Sequence, residues 1–185
     1  MSGDGAGIAG IRAALPAYAK DIKLNLGAVL DATTLTPTQA WGSALACAVA
    51  ARNAALLRAV AETAAAHVPP PVLTAAKAAA AVMAMNNIYY RATHLVGDAA
   101  YQAIPARLRM QAIATAPREA GVDKADFELW CLAVSAVTGC GTCVESHERT
   151  VRGAGMSREQ VHEALRIAAV VHAAAVVLDA EAALA

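Results

Sequence analysis

Residues 123–155, DKADFELWCLAVSAVTGCGTCVESHERTVRGAG, read as two helices joined by a tight turn. Asp123 is a helix-capping residue ahead of an apolar run. That run closes near Thr138-Gly139, where glycine supplies the left-handed conformation that ends a helix. A second helix is expected from about Cys140 to Arg152, closed by Gly153 and Gly155. Working outward, Ser157 to Gln160 forms a capping box and opens a last helix to about Ala182. Thr36-Pro37-Thr38-Gln39 is another, with proline at the first helical position, so a helix should cover about Pro37 to Ala51. Further helices are expected over Ala54–His67, from the Pro69-Pro70-Pro71 run to about Tyr90, and from Pro16 to about Leu30 with Ile11 and Leu15 in a short turn ahead of it. Between His94 and Ala120, Gly97, Pro105 and Pro117 predict a looser stretch, with short helical pieces near Ala100 and over Ala106–Ala114. No segment alternates as a strand does. The expectation is an all-α fold, one domain over residues 1–185.

Composition agrees with close helix packing. Of 185 residues, 58% are apolar and only 4% aromatic, and alanine exceeds a quarter of the chain. Fifteen Lys+Arg balance fifteen Asp+Glu, so no single-sign field exists to draw nucleic acid or steer a charged substrate. The opening Met1–Ala6 lacks the basic and apolar regions of a secretory leader. The long uncharged stretches, Ala32–Ala51 and Leu129–Val144, are interrupted by polar residues, proline or glycine and are not expected to span a membrane. Four cysteines with one close pair do not make a secreted disulfide framework. A cytoplasmic protein is expected, with no nucleic acid or membrane partner.

An internal repeat is also visible. Trp41 and its followers fall on Trp130 and its followers, and the proline-opened helix near Pro71 falls near the Ser157-capped one, giving halves of about 37–92 and 123–183. Only the second half has the cysteine pair; Arg52-Asn53-Ala54 occupies the corresponding turn in the first.

The chemistry sits in E-x11-C-x2-C-x3-H, from Glu128 through Cys140 and Cys143 to His147. Two cysteines so spaced can alternate between dithiol and disulfide with little backbone movement. The thiolate is the nucleophile, and a free thiol is mostly protonated at neutral pH. Three features favour ionisation. The first turn of a helix stabilises an anion, typically by ~0.3–1 kcal/mol. His147 shares a helical face with Cys143 and can take its proton. Glu128 can orient the imidazole if the two helices pack antiparallel through the Gly139 turn. Helix position favours Cys140 as the attacking sulfur and histidine spacing favours Cys143; a paired base acts on one sulfur whereas the dipole acts on both, which tips the choice to Cys143.

With its flanks, Phe127 to Trp130 and Ser135 to Glu148, the motif resembles the alkyl hydroperoxide reductase D family, AhpD, within the carboxymuconolactone decarboxylase-like superfamily. The stretches Leu15–Leu26 and Met83–Arg91 are similar to that family too, so the resemblance covers essentially the whole chain. It implies an all-helical subunit, a homotrimer, and a lipoyl-dependent peroxidase that reduces alkyl hydroperoxides and regenerates the peroxiredoxin AhpC. Electrons would come from dihydrolipoamide on a dihydrolipoyl acyltransferase-type protein, with no bound cofactor and no metal. In family terms Cys143 becomes the sulfenic acid and forms the mixed disulfide with AhpC. Cys140 is proton donor and resolving thiol, and Glu128 and His147 are the relay. Some members carry histidine just before the second cysteine, where this chain has Thr142; a hydroxyl passes a proton but does not hold one at neutral pH.

Other readings of the same residues are less economical. A zinc site needs a fourth ligand, and Cys131 lies on another helix in an apolar run. Cys47 and Cys131 read as small core residues. His162 and His172 read as surface or partly buried structural residues, and His67 as a helix C-terminal histidine; His94 is in a loop. Met83, Met85, Tyr89 and Tyr90 read as core or subunit contact, and Asn86-Asn87 in the same apolar helix as a subunit interface. Two rival functions are open: a redox-sensing or binding module, and a carboxymuconolactone decarboxylase-like acid–base enzyme.

Overall fold

The computed structural model describes residues 7–31 and 34–185. Met1–Ala6, on which the expectation of no leader rests, and Ala32-Thr33, at the head of one uncharged stretch, lie outside the described residues. Among the described residues there are ten α-helices and no strand. They are α1 Gly7–Ala14, α2 Lys20–Ala28, α3 Pro37–Ala51, α4 Ala54–Ala64 and α5 Pro70–Leu95, then α6 Ala99–Ala103, α7 Ala112–Ala120, α8 Lys124–Val137, α9 Gly141–Gly153 and α10 Arg158–Leu184.

Two helices form the centre. Gln39 to Ala48 of α3 are all buried, as are Phe127 to Ser135 of α8. A helix apolar on every side belongs inside, and these two pack on each other. The close approach depends on Gly42: a Cβ there would lie 2.1 Å from Trp130 Cε2, so the indole rests directly on the α3 backbone. Around this pair, α5 and α10 each bury a single stripe, Val72–Ala76–Ala79–Met83–Asn87 on α5 and Val161–Ala164–Ala168–Val171–Ala175 on α10, and each packs on both α3 and α8. By length and composition α10 also meets the requirements of a membrane span; charged residues such as Arg166 hide this from a search for uncharged stretches.

The caps do what the sequence indicates. Thr36 and Ser157 both form complete capping boxes, with Gln39 and Gln160 as their partners. Asp123 accepts from Ala125 N–H; Asn53, which the sequence reading did not single out, caps α4 by accepting from Leu56 N–H. Four expectations are corrected. Ile11 lies in a two-turn helix rather than a short turn, because Ile8 and Ile11 both find burial, and Leu15 follows it. Residues 106–111 are not helical. The helical piece falls on Ala112–Ala120, with Pro117 inside it. Proline there forfeits one late intrahelical bond, and the end is secured by Gly121 in the left-handed region with Val122 N–H donating to Pro117 O at 2.9 Å. Lastly, α5 runs one turn past Tyr90, which places His94 in its last turn rather than in a loop. The fourth helix stops at Ala64, and His67 beyond it stacks on Trp41 at 4.5 Å between centroids.

The order α3–α4–α5 and the order α8–α9–α10 have matched starts at Thr36 and Asp123, Asn53 and Cys140, Pro69 and Ser157. Arg52, at φ 65°, stands where Gly139 stands at φ 69°. This register sets Trp41 against Glu128, not against Trp130 as the sequence comparison had it.

Candidate active site

Gly139 ends α8 in the left-handed region, with Cys140 N–H donating to Ser135 O at 3.0 Å. This hairpin turn sends α9 back along α8, the antiparallel packing the motif requires. Two α5 side chains brace it. Asn87 Nδ2 donates to Thr138 Oγ1 at 2.8 Å, its Oδ1 lies 3.1 Å from Ser135 Oγ, and Arg91 donates to Thr138 O. Asn87 therefore satisfies itself within the chain, which corrects the interface reading of that residue.

Cys140 is the N-cap of α9 and Cys143 lies in its first turn; the two are joined as a disulfide with Cα atoms 5.3 Å apart. His147 is one turn on. Its Nδ1 lies 2.6 Å from Glu128 Oε2 across the α8–α9 seam. Glu128 is 6% exposed, so this carboxylate is a desolvated partner that fixes the ring orientation and leaves Nε2 as the free nitrogen. All four residues of the motif are thus assembled on one hairpin.

The two sulfurs differ in access. Cys143 lines a cavity of about 560 Å³ with Thr142, Ser146 and His147, whereas Cys140 is fully buried behind it. Thr142 connects them: its Oγ1 lies 3.6 Å from Cys140 Sγ and it also faces the cavity. The opposite wall comes from α5 (Met83, Asn86, Tyr89, Tyr90, Thr93 and His94) and from Tyr101 to Ile113. Tyr89 and Tyr90 are therefore cavity residues, against the expectation of core or subunit contact, and His94 joins them; Met83 is core as expected, at 1% exposed, and also borders the cavity. The available signal was the Asn86-Asn87 pair set into an apolar stripe, an arrangement that needs a polar reason.

The remaining cysteines are inert core. Burial pushes the Cys47 thiol up, and it pushes the Cys131 thiol up with the Glu128 charge adding to it. His162 and His172 are exposed on α10, away from the cavity.

A helical bundle with a bridged C-x-x-C opening on an imidazole-lined cavity defines a small-domain thiol oxidoreductase. The sequence matches the Carboxymuconolactone decarboxylase family over residues 99–185. Much closer relatives are each named alkyl hydroperoxide reductase AhpD. That of Rhodospirillum centenum is 57% identical over 96% of this chain and 93% of its own. That of Anaeromyxobacter sp. strain K is 59% identical over 91% and 89%, and that of Streptomyces coelicolor 51% identical over 95% and 96%. The chain belongs to the AhpD family.

Proposed function

We propose that this chain is an antioxidant peroxidase that reduces alkyl hydroperoxides through a Cys140/Cys143 dithiol–disulfide cycle. The observation that carries the reading is the shared cavity: Cys143 opens onto the space lined by His147, whose ring is held by the buried Glu128. In the reduced protein His147 takes the Cys143 proton. The thiolate attacks the terminal oxygen of the hydroperoxide, the O–O bond breaks, and the leaving alkoxide takes a proton from the imidazolium. Cys143 becomes a sulfenic acid. Cys140 then displaces water from it to form the disulfide.

Two electrons are needed to reopen that bond. A dihydrolipoyl group fits, because a dithiol on a slim chain can enter the cavity to the accessible sulfur, Cys143, and leave as a cyclic disulfide. The reduced pair would in turn regenerate an AhpC-type peroxiredoxin through a mixed disulfide at Cys143. Thr142 serves as the proton conduit to Cys140 in place of a histidine. Exposed apolar side chains at Ile88, Leu95 and Val96 support self-association, which the family resemblance gives as a homotrimer, and the thiol cycle suits a reducing cytoplasm.

The test is hydroperoxide turnover driven by dihydrolipoamide in the wild type, Cys143→Ser and Cys140→Ser. Both variants should be inactive, with a sulfenic acid trapped at Cys143 in Cys140→Ser. Turnover surviving in both would remove the cysteines from the mechanism.

A further inference from the structure

Arg91 reaches the redox turn from outside the hairpin that carries the cysteines. Its guanidinium donates to Thr138 O at the end of α8, and its Nη1 would lie 3.8 Å from a Cβ on Gly139, the residue before Cys140. The side chain is half-buried, and no carboxylate lies within ion-pair distance of it among the described residues. The charged groups of the site itself, His147 and Glu128, are bonded to each other. Arg91 therefore brings an uncompensated positive charge to the turn.

The matching turn in the first half is gripped in the same way with the opposite sign. Counted from the caps Pro69 and Ser157, Asp179 on α10 stands where Arg91 stands on α5, and its Oδ1 accepts from Asn53 Nδ2 at 2.7 Å. Each long helix thus reaches across to the other half's turn. The turn without cysteines is held by an anion, and the turn with the cysteine pair by a cation. A thiolate is stabilised by a neighbouring cation and disfavoured by an anion, whereas a disulfide carries no charge to respond.

We propose that Arg91 is a positioning residue that holds the Cys140–Cys143 turn from α5 and, through its charge, biases the pair toward its reduced form. This rests on the dithiol–disulfide cycle above and deepens it. In the exchange, dihydrolipoamide gives up two electrons and two protons and closes to a cyclic disulfide. The Cys140–Cys143 S–S bond opens to two thiols, and Cys143 passes its proton to His147. The resulting thiolate is the species that Arg91 favours. The bias is moderate, because a half-buried guanidinium is partly screened by water and salt.

The test is the equilibrium constant for exchange between the full-length protein and a dihydrolipoamide/lipoamide couple at pH 8, read by alkylation and mass spectrometry. Arg91→Gln removes the charge and keeps a donor; Arg91→Lys keeps both. The constant for reduction of the pair should fall about 3–10-fold in Arg91→Gln, which is ~14–30 mV, and stay within about twofold of wild type in Arg91→Lys. Arg91→Met is a second neutral variant should the glutamine protein fold poorly. An unchanged constant in the neutral variants, or an equal fall in Arg91→Lys, would overturn the proposal. A wild type whose pair never exchanges with the dithiol couple would instead overturn the cycle on which it rests.

Discussion

Replacing Gly42 with alanine tests whether the α3–α8 contact sets the position of the site. Alanine is favoured over glycine in a helix interior by about 1 kcal/mol, so propensity alone predicts a more stable protein. The contact argues the other way. The new Cβ would sit 2.1, 2.3 and 2.4 Å from three atoms of the Trp130 indole, which is itself fully buried. A rigid ring cannot yield as a flexible side chain would, and overpacking of this kind costs about 1–3 kcal/mol or more. Taking the upper part of that range, the net is a loss of about 2 kcal/mol. In a domain of this size each kcal/mol shifts the melting temperature by about 2–4 °C, so Tm should fall by about 4–8 °C. Trp130 and Glu128 share α8, hence peroxide turnover should fall as well. Gly153 is the control, because it lies at the end of α9 with nothing within 4 Å of its would-be Cβ; Gly153→Ala should be neutral or stabilising. Calorimetry of both variants decides it. A Gly42→Ala protein that melts at or above the wild-type temperature would refute the reasoning, and a Gly42→Ala/Trp130→Phe double variant should recover part of the loss.

Three further outcomes are expected. Glu128→Gln keeps the shape of the carboxylate but weakens the bond to His147, from a charge-assisted one worth about 1.5–3 kcal/mol to a neutral one near 1; hydroperoxide turnover should fall about 10-fold, with Cys140–Cys143 still forming under oxidation. Iodoacetamide at pH 8 on the reduced native protein should alkylate Cys143 first and leave Cys47 and Cys131 untouched, because burial raises both thiols; mass spectrometry after denaturation should then find those two newly reactive. Asp126 is held above the ordinary aspartate range by burial, opposed by the Gln39 hydrogen bond and reinforced by Asp123. Its contribution to stability is therefore full below the unfolded value of about 3.9 and lost as pH rises through the raised folded value. Asp126→Asn should flatten that decline in urea midpoints measured against pH; an unchanged pH slope would argue against it.

How much of this was legible in the sequence follows from how local each signal is. Capping boxes at Thr36 and Ser157, the aspartate cap at Asp123 and the glycine at 139 act within one turn, so the helix ends they mark were read nearly to the residue. The E-x11-C-x2-C-x3-H spacing encodes an antiparallel hairpin, and so Glu128 against His147 was legible too. Pro117 misled because its cost depends on where in a helix it falls, which is fixed only by the Gly121 closure beyond it. The far wall of the cavity was not legible for a different reason. Tyr89, Tyr90 and His94 come to the cysteines from α5 by tertiary packing, and helical periodicity cannot distinguish a stripe facing core from one facing a hollow. Asn86 was noticed as a polar residue in an apolar helix, but the cavity it borders was not.

The turn that carries Cys140 differs from its counterpart at Asn53 in one respect beyond chemistry. Asn53 caps its helix by accepting from Leu56 N–H, whereas Cys140 makes no side-chain cap bond. A good cap is worth about 1 kcal/mol, and at the second turn that anchorage is surrendered to reactivity. In the oxidised protein the Cys140–Cys143 link fastens the same helix start covalently. With that link opened the start of α9 would keep neither anchor, and in the proposed cycle it is the reduced form that admits a peroxide and lets Cys140 travel to its partner. Rigidity in this molecule is therefore rationed by oxidation state: the helix end is slack while the site is armed and tied down once it has fired.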